Sequence, residues 1–164
     1  MTDLSHEVKK LIEKFQLEAH PEGCFFRQTY HSDLTCKNTT GEVRPLATAI
    51  YFLMPEGHVS HLHRLKSDEL WHFYLGSSLT VVQFAPDGKM EKIIVGSDIS
   101  NGEKLQHTVP AGYWFGSYTN GEYSLVGCTV SPGFDYADFE LAKRSEALLL
   151  FPHEKEEILK LTHE

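Results

Sequence analysis

Between residues 46 and 131 the chain sustains no helical period, and this constrains its fold more than any other feature. Short β-rich runs take the place of i, i+3, i+4 spacing, over 47–53, 69–75, 79–85, 92–95, 105–109 and 124–130. Turn residues separate them: Pro55-Glu56-Gly57, Gly76-Ser77, Pro86-Asp87-Gly88, Gly102, Pro110-Ala111-Gly112, Asn120-Gly121 and Pro132-Gly133. Short strands at that spacing predict an all-β sandwich or barrel. Asn120-Gly121 reads as a two-residue hairpin turn. A strand over 24–30 precedes these runs, followed by a polar loop or a mobile hairpin tip over 33–45.

Helical patterns lie only at the two ends. Val8, Leu11, Ile12 and Phe15 share one face and predict a helix over 5–15, with Ser5 as its N-cap. Ser145 is the expected cap of a helix over 146–151, and Pro152 opens a second piece in which Ile158 and Leu161 recur. The expectation is one domain over 1–164, with a barrel over 24–131 and a helical tail over 145–161.

Composition then limits function. A chain of 164 residues that is 41% hydrophobic can bury a core without disulfides. It carries 15 Lys and Arg against 23 Asp and Glu, a net charge of −8. That balance argues against nucleic acid and anionic membrane surfaces as partners. No apolar run is long enough for a membrane helix, and the N-terminus lacks the pattern of a secretory signal. Cys24, Cys36 and Cys128 form no CxxC pair, which suits a cytoplasmic chain with reduced thiols.

The densest chemistry lies over 57–76. His61 and His63 are two apart, so on a regular strand they share a face, and Glu69 opens the next strand and returns to it. Two imidazoles and a carboxylate suit a divalent metal with open positions. The plain alternative is surface histidines beside a hairpin. Arg27 alternates with Phe25, Phe26 and Tyr30; among apolar neighbours it needs a partner, either Glu69, Asp68 or an anionic substrate, unless it is a solvated edge-strand arginine. Cys128 lies within an apolar run and reads as a buried structural thiol.

Gly57, His61, His63, Glu69 and Gly76 together resemble the first motif of the cupin superfamily, and 104–112, ending Val109-Pro110-Ala111-Gly112, resembles the second. The chain further resembles the small, uncharacterised cupin family five. The marks are His20-Pro21-Glu22-Gly23, Phe26-Arg27, Thr29-Tyr30, 48–53, Ser60, His63-Arg64, Ser67-Asp68-Glu69, Trp71-His72-Phe73, Trp114, 125–130 and Pro132-Gly133-Phe134. The resemblance implies a double-stranded β-helix, the cupin jelly-roll barrel, similar to the dTDP-sugar epimerases and paired as a homodimer. It also exposes a departure: Phe115 stands where the superfamily's second motif supplies a metal-binding histidine. A metal site of His61, His63 and Glu69 would need completion by water or Gln83, so the cofactor stays unassigned.

Within such a barrel, Glu69 and Trp71 alternate onto one face, Tyr51 adds an aromatic ring, and Trp114 follows the Pro-x-Gly turn at the mouth. Read as walls, these rings suit a sugar or a nucleotide base; read as core, they fill the barrel. His63 and Glu69 form the polar centre. The first reading is a small-molecule-binding protein for a polar or anionic metabolite. The second is an enzyme. One form is a metal-independent epimerase with His63 as base and Tyr51 or Tyr113 as acid, by fold analogy. The other is a metal-dependent cupin enzyme. The third reading is a non-catalytic interaction module.

Overall fold

Ser5 Oγ accepts a hydrogen bond from the Val8 N–H at 3.3 Å and so caps α1 (His6–Phe15). Its apolar stripe buries Val8 and Leu11 against Leu17, Leu53 and Leu125 on the outside of a sheet. The computed structural model describes residues 3–164. Strands follow as β1 (Glu18–Ala19), β2 (Phe25–His31), β3 (Thr35–Lys37), β4 (Val43–Pro45), β5 (Thr48–Pro55), β6 (Val59–Arg64) and β7 (Asp68–Gly76). Then come β8 (Leu79–Phe84), β9 (Met90–Val95), β10 (Gln106–Val109), β11 (Trp114–Thr119), β12 (Tyr123–Ser131) and β13 (Glu140–Leu141). The tail forms α2 (Arg144–Leu150) and α3 (Lys155–Leu161).

The strands make an antiparallel six-stranded sheet, β1-β2-β5-β12-β7-β10, facing a five-stranded one, β13-β6-β11-β8-β9. This is the expected jelly roll. Alternation along β5 sends Phe52 and Met54 into the space between the sheets and Tyr51 and Leu53 out beneath α1. In β8 all six residues are buried. Leu79 and Val81 face the inner core, while Val82 and Phe84 lie under Ala147, Phe151, Ile158 and Leu161 of the tail. Burial on both faces explains why apolar residues occupy both parities of that strand, with Val81 and Val82 adjacent. Each large side chain so buried contributes roughly 1.5–3 kcal/mol.

Several expectations need correction. β11 was not expected, because Gly116 and Ser117 interrupt its apolar pattern. Gly116 is needed for close packing: a Cβ there would stand 2.7 Å from the Ser60 carbonyl oxygen. Asn120-Gly121 does not close a hairpin within one sheet. It carries the chain from β11 in the five-stranded sheet to β12 in the six-stranded one. Neither residue takes the left-handed φ of the tight hairpin turns. The Asn120 N–H donates instead to the Ser78 carbonyl at 2.9 Å. The stretch 33–45 is an ordered β3–β4 hairpin, pinned where buried Arg44 donates two bonds of 2.8 Å to Asp138. Ser145 lies inside α2, and Lys143 takes the N-cap position with no side-chain bond.

Candidate ligand cavity

The strand carrying the histidines is not regular. Against β11, His63 pairs with Phe115 and Ser60 pairs with Ser117, so His61 and Leu62 together oppose the single Gly116. This β-bulge breaks the two-residue alternation. Ser60 and His63, three apart in sequence, both reach the barrel interior, while Leu62 packs toward the tail helices. His61 leaves the inward row. Its Nδ1 lies 2.7 Å from the Glu22 carbonyl oxygen and its ring meets that of His163 at a tilt, 3.6 Å between centroids. The expected shared face of His61 and His63 therefore fails.

The turn before β2 supplies what the sequence reading missed. Gly23 has φ of 101°, and a Cβ there would lie 2.3 Å from the Val59 carbonyl oxygen. The glycine lets the turn lie against β6 and aims Glu22 inward. Glu22 Oε1 accepts from Ser60 Oγ at 2.7 Å, and Oε2 stands 3.2 Å from His63 Nε2. His63 Nδ1 is 2.7 Å from the His61 carbonyl oxygen. A carbonyl can only accept, so Nδ1 carries the hydrogen and Nε2 is left to share a proton with Glu22. One proton lies between Oε2 and Nε2, on one atom or the other.

Burial decides the side. It holds His63 down at about 4. Burial also raises Glu22, against the opposing pull of His20 and Ser60. The neutral pair is favoured: a carboxylic acid donating to an imidazole. Glu69 is pushed up to about 8, first by burial and then by the neighbouring Glu22 carboxyl, with which it cannot readily share a second negative charge, while a bond to Cys128 pulls the other way. His20 accepts from the Glu22 N–H at 3.1 Å, and burial lowers it.

These groups line a cavity of about 330 Å³. Buried Glu22, His63 and Glu69 lie in its depth, with Cys128 and Ile50 beside them. Phe26, Phe134 and Tyr136 form aromatic walls, and exposed Glu18 and Tyr136 stand at the rim. Tyr136 rides on a short 3-10 turn that ends at Asp138, the partner of Arg44.

Of the expected site residues, His63 and Glu69 come together in the cavity. The others do not line it. Trp71 is fully buried core, packed edge-on to Phe52 and Phe115 at 6.0 and 6.4 Å. Tyr51 lies on the outer face of β5 between Phe15 and Tyr74, and Arg27, paired with it on that face, is exposed and donates to the Phe15 carbonyl at 3.3 Å. Trp114 is turned outward because its neighbour Phe115 takes the inward position; the Arg64 guanidinium sits over it at 4.7 Å. Gln83 is buried but engaged with His107 at 2.8 Å and Glu91 at 3.2 Å. Asp68 accepts from the Ala111 N–H at 2.8 Å and so fixes the Pro-x-Gly turn. Tyr113 packs against the core.

The expected metal set does not fit. His61 has turned away, and the Phe115 ring, 4.1 Å from His63 between centroids, fills the place of the missing histidine. Among the described residues no three His, Cys, Asp or Glu side chains converge to hold a metal ion. One signal for Glu22 was present: it is a charged residue in a Pro-Glu-Gly turn just before the Phe25-Phe26 pair that opens a strand.

A family model described as "Cupin superfamily (DUF985)" matches residues 9–142. An uncharacterized protein of Saccharomyces cerevisiae, YML079W, is 29% identical, over 90% of this chain and 81% of its own length. A solved hypothetical protein from Leishmania major is 35% identical, with a TM-score of 0.91 over 95% of this chain and 98% of that one. Protein SO0799 from Shewanella oneidensis is 41% identical, with a TM-score of 0.88 over 94% and 96%. Oxalate decarboxylase from Bacillus subtilis shares the fold at 16% identity and a TM-score of 0.56, over 88% of this chain and 36% of its own.

Proposed function

The chain belongs to the cupin superfamily, in the family DUF985, and we propose that it binds a small polar molecule in the cavity between its two sheets. The observation that carries this reading is the convergence of Glu22, His63 and Glu69 in one space with aromatic walls. Its volume, about 330 Å³, falls at the lower end of known ligand sites. The anionic class expected from sequence loses its support, because no Lys or Arg is among the described residues that line the space.

The shared proton favours a second reading, proton transfer beside a carbonyl or hydroxyl of the ligand. Glu22 and His63 then move the proton. Tyr136 takes the acid role in place of Tyr51 or Tyr113, since it lines the cavity and they do not. A thermal-shift screen of sugars, polyols and amino compounds, followed by calorimetry on the hits, tests both readings. The expected hit binds the wild type and loses at least about tenfold in affinity, close to 1.4 kcal/mol, in Glu22→Gln with His63→Phe. Undiminished binding in that double variant overturns the site assignment. Deuterium taken from solvent into the hit selects catalysis over simple binding.

We also propose that two copies pair. Tyr30, Leu34, Val43 and Leu46 are exposed around β2 and the β3–β4 hairpin and offer an apolar surface for it. Sedimentation velocity should give a dimer at micromolar concentration, weakened by Leu34→Glu; a monomer throughout refutes the pairing. Among the described residues no helix is long and apolar enough to cross a membrane. The three unpaired cysteines, two of them buried, support placement in a reducing, cytoplasmic compartment.

A further inference from the structure

We infer that the cavity takes a small organic cation, a primary ammonium or amidinium head on a compact apolar or aromatic body, held between Glu22 and Glu69. The inference rests on the binding reading above and narrows it to a ligand class.

Charge is the first ground. Three carboxyls line the cavity, Glu18, Glu22 and Glu69, and no cationic side chain among the described residues lines it. Elsewhere this fold does supply a cation to a buried carboxyl: Asp138 receives two bonds from Arg44 and has Lys66 at 3.7 Å. Glu69 is only 8% exposed and has no ion pair among the described residues. Its polar contact is the Cys128 thiol. A buried carboxyl aimed at open space in this way either keeps a proton or receives a cation.

Donor count is the second. Glu22 has one oxygen engaged by Ser60 and the other by His63, but each carboxyl oxygen has a second lone pair. The cavity is therefore rich in acceptors. An ammonium brings three donors and an amidinium a planar fork, whereas a hydroxyl brings one donor. Aromatic walls are the third ground. The Phe26, Phe134 and Tyr136 rings suit both the cation and its apolar body.

Binding then displaces a proton. The titratable groups facing Glu69 in the cavity are Glu18, His20, Glu22, His63, Cys128 and Tyr136. Burial lowers His20 and His63, which stay neutral above pH 7, and raises Cys128 and Tyr136, which stay protonated. The proton released around neutral pH comes from the Glu22–Glu69 pair, Glu69 lying at about 8. Affinity for the cation rises by up to about tenfold per pH unit on approach to that value and levels off above it.

Calorimetry on the full chain tests this with benzylamine, benzamidine, putrescine and agmatine, set against benzyl alcohol and benzoate. Each titration is run in two buffers of different ionisation enthalpy, and again with Glu69→Gln, whose folding is checked by its thermal midpoint. The expected result is at least about tenfold preference for an amine or amidine over its matched alcohol, with release of about one proton. Glu69→Gln should abolish both. If the alcohol or carboxylate binds as well as the amine, the cation inference falls and the pocket reading stands. If Zn²⁺ or Mn²⁺ alone binds, displaces the amines and is lost in Glu69→Gln, the acidic pair belongs to a metal and the inference is overturned. If no probe binds the wild type, the cation inference falls, and the screen proposed above decides the pocket reading separately.

Discussion

Glu69→Gln is expected to stabilise the protein by a few kcal/mol at pH 8 and to change little at pH 4. The folded protein holds the Glu69 proton up to about 8, against 4.5 for an ordinary glutamate. Between those values the folded state binds the extra proton, so stability falls as pH rises. The full span corresponds to an upper limit of about 5 kcal/mol, since each pKa unit is worth about 1.4 kcal/mol. His63 acts in the opposite direction. Its pKa falls from 6.5 to about 4, so the unfolded chain binds that proton first and stability is lost as pH falls through the interval. The two contributions offset each other between about pH 4.5 and 6.5, and above that the raised carboxyls, Glu69 with Glu22 beside it, make stability decline. Removing the Glu69 carboxyl should leave a rise from pH 4 to 6.5 followed by a much shallower decline, the part that belongs to Glu22. Urea denaturation across that range reads the difference. A variant whose curve runs parallel to wild type would show that Glu69 is not the titrating group.

Trp71→Ala should cost about 3–5 kcal/mol. The indole is fully buried and meets Phe52 and Phe115 edge-on beneath the cavity. Its Nε1 has no hydrogen-bond partner among the described residues. Trp71→Phe therefore gives up packing volume but no hydrogen bond, and relieves a buried unpaired donor. It should lose well under half as much as Trp71→Ala. Guanidinium midpoints of the two variants decide this; equal losses would mean that the indole nitrogen has a partner in solution.

Much of the architecture was legible because β-rich runs and turn residues alternate so regularly from residue 46 onward. Helix α1 was legible for a similar reason: its cap at Ser5 and its stripe through Val8 and Leu11 are local facts. β11 was not, since Gly116 is present for close approach to β6 and contributes no apolar signal. In the cavity, the structure brings His63 and Glu69 together. Glu22 was missed because its role depends on a left-handed glycine that packs one turn against a distant strand. Trp71, Tyr51, Trp114 and Arg27 were misplaced for another reason. Alternation says which residues share a face, but not whether that face meets the cavity, the core below it or a helix outside.

The bulge in β6 has a consequence for comparison between chains. Residues above and below it obey opposite parity, so the number of residues between Ser60 and His63 decides which side chains meet the ligand space. A chain can keep the letters His-x-His and present a different set of groups to its ligand if its strand runs straight through this point. Position-by-position alignment of this strand carries functional meaning only between chains that share the same irregularity.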